Sequence, residues 1–280
     1  MKRIAILGCG WLGFPLAKAL LAQGWTVNGS TRSTQKIAEL QAAGIDAYQI
    51  DFDQPETLDQ LTGFLQMDEV FINLPPGRRR PDVLDWYPKI AQRITESLNP
   101  RLVKRLTWVS STGVYGTLEG QVDESMTPLP QTDSQKALFA AEQKVQQGQH
   151  PWLILRPAGL VGGNRNPGRW LAGKTGLKNG TDVVNLIHRE DLIELIIQLL
   201  NSQVENSVFN VCADEHPLKG EYYPKMALQM GLEPPVYDWS YQSLEKEGNS
   251  VQYTGKWIDN QKIKKALKYT FKYPDPYDFP

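Results

Sequence analysis

The chain has 280 residues, with 30 Lys+Arg against 31 Asp+Glu and a formal net charge of −1. That balance argues against a basic nucleic-acid surface, and no apolar run approaches the roughly 18 residues of a membrane span. Cys9 and Cys212 imply no disulfide framework and suit a reducing cytoplasm, while His150, His188 and His216 lack metal-ligand spacing, so no metal is expected.

The first predicted strand, residues 4–7, runs into Gly8-Cys9-Gly10-Trp11-Leu12-Gly13, and a helical pattern follows to Gly24. Strand, glycine-rich turn and helix in that order make GxGxxG a dinucleotide-binding fingerprint. Gly8 permits the tight turn, Gly10 the approach of backbone to a pyrophosphate, and Gly13 close packing of helix on strand. Trp11 and Leu12 belong to the same cofactor turn, and the helix start offers unpaired N–H groups to phosphates. A basic start, Lys2-Arg3, can imitate a secretory signal, but the glycines and Lys18 interrupt the apolar stretch.

A second strand over residues 25–30 ends at Thr31-Arg32-Ser33. An acid at this strand end would bind the ribose 2′-hydroxyl and select NAD. None is present, and an arginine fork between two hydroxyls suits a 2′-phosphate, so NADP is expected over NAD. The plainer alternative is a solvated arginine at a helix start. A helix over 35–43 leads to a strand over 47–50, which ends in Asp51-Phe52-Asp53. Asp51 is placed to reach the adenine amino group, and Asp53 with Pro55 opens a helix over 56–65. The fourth strand, 69–73, is closed by Leu74-Pro75-Pro76-Gly77, which turns the chain over the cofactor. Arg78-Arg79-Arg80 then offers either a contact for an anionic substrate or a solvated charge run. A helix over 83–98 returns the chain to a fifth strand, Arg105–Val109.

That strand ends in Ser110-Ser111-Thr112-Gly113-Val114-Tyr115-Gly116, followed by Val122-Asp123-Glu124-Ser125 and Thr127-Pro128-Leu129-Pro130. Further on come Arg156-Pro157, closing a sixth strand over 152–156, then Gly159-Leu160-Val161-Gly162, the run NLIHREDL at 185–192, and Phe209-Asn210-Val211. Together these resemble the extended short-chain dehydrogenase/reductases, the NAD(P)-dependent epimerase/dehydratase family. The wording GxGWLG, SSTGVYG, AGLVG and NPGRWLAGK is most similar to its atypical YeeZ-like group.

The resemblance implies an α/β fold: a Rossmann-type doubly wound parallel sheet with a small C-terminal α+β substrate region. Residues 1–162 would form the NADP-binding domain. Residues 163–280 would mostly form the substrate side, with about 183–212 returning to the core. Ser110 and Pro157 would line the cofactor, and Ser111 would hydrogen-bond the reacting oxygen. The family's YxxxK pair, on one face of the helix Asp133–Gln146, would fall at Ser134 and Leu138, so neither residue matches. No tyrosine lies between Tyr115 and Tyr222 to restore it. Thr112 and Gly113 replace the dehydratase Asp-Glu pair, and Gly159 replaces a substrate-contacting Asn.

Three readings follow. The first is an NADP-dependent redox enzyme with another proton donor: Tyr115 is the first candidate, with Tyr222 and Tyr223 of the C-terminal part behind it. Ser111 with water is the second, and a cofactor-binding or sensing module without turnover is the third. A small-molecule substrate is expected, polar and anionic or sugar-derived, with Arg78, Gly159, Arg169 and His188 as its contacts. His188 also reads as a structural hydrogen-bonder and Asp191 as a helix-start residue. A homodimer is the expected assembly.

Overall fold

The computed structural model describes residues 2–77, 79–239 and 254–280. In chain order the elements begin β1 (Arg3–Leu7), α1 (Gly13–Ala22), β2 (Thr26–Thr31), α2 (Ile37–Ala42), β3 (Asp46–Gln49), α3 (Leu61–Phe64) and β4 (Glu69–Ile72). They continue with α4 (Val83–Ser97), β5 (Arg105–Val109), β6 (Gly120–Val122), α5 (Asp133–Gln146), β7 (Trp152–Pro157), β8 (Gly159–Val161) and β9 (Leu186–His188). Last come α6 (Arg189–Asn201), β10 (Ser207–Val211), α7 (Lys219–Gln229), β11 (Lys256–Ile258) and α8 (Gln261–Leu267).

Two compact units emerge. One comprises Met1–Val114, Pro130–Arg156 and Ile193–Phe209; the other comprises Tyr115–Leu129, Pro157–Leu192 and Asn210–Pro280. Residues 115–129 join the second unit, and 193–209 return to the first.

The first unit carries a seven-stranded sheet of order β10-β7-β5-β4-β1-β2-β3. The pairs β1·β2, β1·β4, β2·β3, β4·β5 and β5·β7 are parallel. Every residue of β4 and β5 is buried, as a parallel strand covered on both faces requires. Strand order reverses between β1 and β4, and in open α/β sheets ligands bind beyond the carboxyl ends of such a pair. Two buried ion pairs brace this unit. Arg105 pairs with Glu69 and donates to the Val204 carbonyl; Arg156 of β7 makes a bidentate pair with Glu142 of α5. Helix α5 starts at a reciprocal capping box between Thr132 and Gln135.

The region 56–65 does not form one α-helix. It is a 3-10 turn, Pro55–Gln60, followed by the single turn of α3. Thr57 accounts for this: its hydroxyl bonds the Asp51 and Gln54 carbonyls, tightening the chain before a longer helix can start.

The second unit holds two short parallel pairs, β8·β9 and β6·β11. Its core gathers Val161, Val184, Leu186, Tyr222 and Met226, with Tyr223, Tyr277 and Phe279 against them. The buried Asp191 carboxylate accepts from the Tyr269 hydroxyl and from the Lys272 and Tyr273 N–H groups, so it fastens the C-terminal tail.

Candidate functional site

The glycine turn is built by contacts that only glycine permits. Gly8 has φ +104, and a Cβ there would lie 2.6 Å from the Asn73 carbonyl oxygen at the end of β4. A Cβ at Gly13 would run into the Gly8 carbonyl oxygen, so α1 can approach β1 only without a side chain. Gly10 differs, because a Cβ there meets no atom within 4 Å. The packing of the protein gives no reason for glycine at position 10, whereas close approach of a ligand to the backbone does.

Residues beyond the motif hold the turn in place. The Gly8 N–H donates to Ser30 Oγ at 3.0 Å, and the Cys9 N–H to the Ser30 carbonyl at 2.8 Å. Asn73 donates to the Gly8 carbonyl through Nδ2 and to the Leu7 carbonyl through its backbone. The only sequence signal for Ser30 and Asn73 is a polar residue at the carboxyl end of a strand. Helix α1 begins at Leu12 with no side-chain cap and no acid in its first turn, leaving its N-terminal donors suited to an anion. The Leu12 side chain is itself buried in the core, so only its backbone faces the turn. The Cys9 thiol is buried too, and desolvation pushes it up to about 12, which makes it inert.

At the end of β2, Thr31 is buried and accepts from the Ser33 N–H, while the Arg32 side chain is exposed. Asp51 accepts from the Asp53 N–H through Oδ1. Asp53 is occupied by both its oxygens with Arg80 at 2.8 Å. Arg80 also pairs with Asp82 and stacks on Trp86, so this member of the arginine run is committed within the protein. Arg78 lies outside the described residues. Leu74, Pro75 and Pro76 follow β4, and the Leu74 carbonyl is held by the buried Tyr87 hydroxyl at 2.8 Å.

Beyond β5, Ser110 is buried and its Oγ has no hydrogen-bond partner among the described residues. Half-buried Ser111 accepts from the Gly113 N–H at 3.0 Å, which leaves its own proton to donate. On α5, Ser134 is half-buried and Leu138 buried, four residues apart on one face, with exposed Lys136 between them. That face continues to Glu142, so a carboxylate paired with Arg156 follows where YxxxK chemistry is absent.

In the second unit, Tyr115 requires a correction. Its ring is fully buried, and its hydroxyl donates to Asn210 Oδ1 at 2.9 Å. It is a structural tyrosine rather than the proton donor. Tyr115→Phe is expected to cost about 1 kcal/mol of stability and to leave cofactor binding unchanged, as read by urea unfolding and NADPH titration. Tyr222 is equally buried, with its hydroxyl on the Pro276 carbonyl.

Two expected substrate contacts have neighbours within the protein. A Cβ at Gly159 would lie 2.6 Å from Leu186, so this glycine serves the close packing of β8 on β9. His188 is buried between Tyr273 and Phe279, with Nδ1 accepting from the Glu190 N–H, and desolvation lowers its pKa. Arg169 stands exposed at the end of a 3-10 turn. Among the described residues no group of three or more His, Cys, Asp or Glu could hold a metal ion, and no helix is long and apolar enough to cross a membrane.

Residues 8–203 match the NAD(P)H-binding family. The chain belongs to that family. The chain is also 37% identical to Protein YeeZ of Escherichia coli K12, over 100% of this chain and 99% of that protein, which places it in the YeeZ-like group. A conserved protein of unknown function from Silicibacter pomeroyi shares the fold with a TM-score of 0.72 at 25% identity, over 98% of this chain and 95% of that one. UDP-glucuronic acid 4-epimerase from Bacillus cereus, in complex with UDP-glucuronic acid and NAD, superposes with a TM-score of 0.74 at 17% identity, over 96% and 94% of the chains. The open Gly10 face, the uncapped α1 start and the buried Ser110 hydroxyl fit the NAD(P) that the family implies.

Proposed function

We propose that the chain is an NADP-dependent, epimerase-like oxidoreductase that acts on a small polar, anionic or sugar-derived substrate without a YxxxK pair. Gly8, Gly10, Gly13 and the backbone of Trp11 and Leu12 would hold the pyrophosphate. Thr31, Arg32 and Ser33 would take the 2′-phosphate, and Asp51 the adenine. Leu74, Pro75, Pro76, Ser110 and Pro157 would line the rest. The cofactor, when bound, supplies hydride exchange at its nicotinamide. The chain's part is to hold the substrate oxygen, and the free Ser111 proton suits that hydrogen bond.

The observation that carries the cofactor reading is the exposed Arg32 between two hydroxyl residues at a strand end without an acid. Titration of NADPH and NADH against tryptophan fluorescence tests it. NADPH should bind roughly tenfold tighter, a difference of about 1.4 kcal/mol, and Arg32→Ala should erase the preference. Equal affinity in the unmodified protein would refute it.

A non-catalytic NADP-binding role is the second reading, favoured by Ser134 and Leu138 standing where the acid/base pair belongs and by the buried Tyr115. Single-turnover NADPH consumption separates the two. Oxidation with any member of a panel of keto sugars and sugar nucleotides supports the enzyme; binding without oxidation supports the sensor.

A further inference from the structure

The second unit contains a lysine whose setting the fold alone does not explain. Lys256 opens β11, opposite Gly120 of β6. Its backbone is fixed by Asn185, which accepts from the Ile258 N–H and donates to the Lys256 carbonyl, both at 2.8 Å. The side chain is half-buried, and its ammonium donates to the Gly116 carbonyl. The other part-buried lysines of this unit have carboxylates: Lys219 pairs with Asp182 at 2.9 Å and Lys264 with Asp214 at 2.7 Å. Among the described residues no carboxylate pairs with Lys256. Its nearby charge is a like one, Lys219, which together with burial holds its pKa below the ordinary lysine range.

Asp182 does not relieve this excess. Its carboxylate is taken by Lys219 and by the Thr254 hydroxyl, both at 2.9 Å, so each of its oxygens already has a donor. A second polar group lies near Asp182. Tyr237 is only 8% exposed, its hydroxyl has no partner among the described residues, and it is close enough to Asp182 to feel that charge. Burying an ammonium with only a neutral carbonyl as its partner, or a phenol with none, is costly, and such groups persist where a ligand completes them.

We propose that Lys256, reinforced by Lys219 and accompanied by the Tyr237 hydroxyl, forms an oxyanion-binding site for a carboxylate or phosphate of the substrate. This inference rests on the reading of the chain as an enzyme for an anionic substrate, and it assigns the recognition to Lys256 in place of the arginine run.

The test is calorimetric titration of the full chain, with and without saturating NADPH, using inorganic phosphate and glucuronate as probes. The protein should bind at least one, and the stronger ligand tells phosphate from carboxylate. Lys256→Met should weaken that binding roughly tenfold or more and Lys256→Arg by less than about threefold, with Tyr237→Phe between them. Binding of neither probe, or unchanged binding by Lys256→Met, overturns the proposal. Should Lys256→Met fail to fold, competitive acetylation of the unmodified chain decides. The preferred anion should slow labelling of Lys256 severalfold while leaving exposed Lys272 unaffected, and equal labelling overturns it. Loss of NADPH binding with anion binding intact would instead defeat only the cofactor reading.

Discussion

Alanine at Gly13 is expected to damage both the fold and cofactor binding, and alanine at Gly10 to damage cofactor binding alone. At position 13 the new methyl would press on the Gly8 carbonyl and sit 3.2 Å from the Ile6 side chain. A backbone oxygen cannot swing aside, so α1 must shift from β1 and the turn with it. Overpacking of this kind costs roughly 1–3 kcal/mol, enough for a drop of several degrees in melting temperature. At position 10 the methyl meets nothing within 4 Å, so the melting temperature should not move. The methyl would, however, stand where the backbone is left open, and NADPH affinity should fall roughly tenfold or more. Thermal melts and NADPH titration of both variants check this. A Gly10→Ala protein that binds NADPH like the unmodified chain would remove the assigned role of the turn.

The second large effect concerns Glu142 and Arg156. Their side chains are 1% and 5% exposed and share two hydrogen bonds, at 2.6 and 3.1 Å. Glu142→Ala leaves a guanidinium buried without its carboxylate, and removing one partner of such a pair costs about 3–5 kcal/mol. Replacing both residues by methionine should recover most of that loss, because no unmatched charge remains. Urea unfolding of the two variants measures it. A loss below about 1 kcal/mol for Glu142→Ala would mean that the pair behaves like a surface contact.

Legibility in the sequence followed the range of the interactions involved. The glycine turn, the apolar strands and α5 are specified by neighbours a few residues apart, and α5 spans the predicted Asp133–Gln146. The short strands β6, β8, β9 and β11 have three residues each and find partners far along the chain, so no local period announces them. Tyr115 shows the same limit at the site. Its place in SSTGVYG was readable, but the Asn210 side chain that engages it stands 95 residues on. At Gly159 the sequence does not reveal that the Leu186 side chain, 27 residues on, occupies the space a side chain would need. The run Arg78-Arg79-Arg80 likewise gives no sign that Arg80 is paired with Asp53 and Asp82.

The pairing of β6 with β11 also bears on the order in which the chain can fold. Lys256 and Gly116 meet across a separation of 140 residues, and Asp191 waits for Tyr269, Lys272 and Tyr273. During synthesis none of these closures can form until the last part of the chain has left the ribosome. Long loops also make such closures slow. Strands β1 to β5, whose partners are made early, can pair while residues 115–129 still lack the strand that completes them. The nascent chain therefore exposes β6 as an open edge from the emergence of Val122 until Lys256 follows, and a chaperone that shields that edge would act on this segment first.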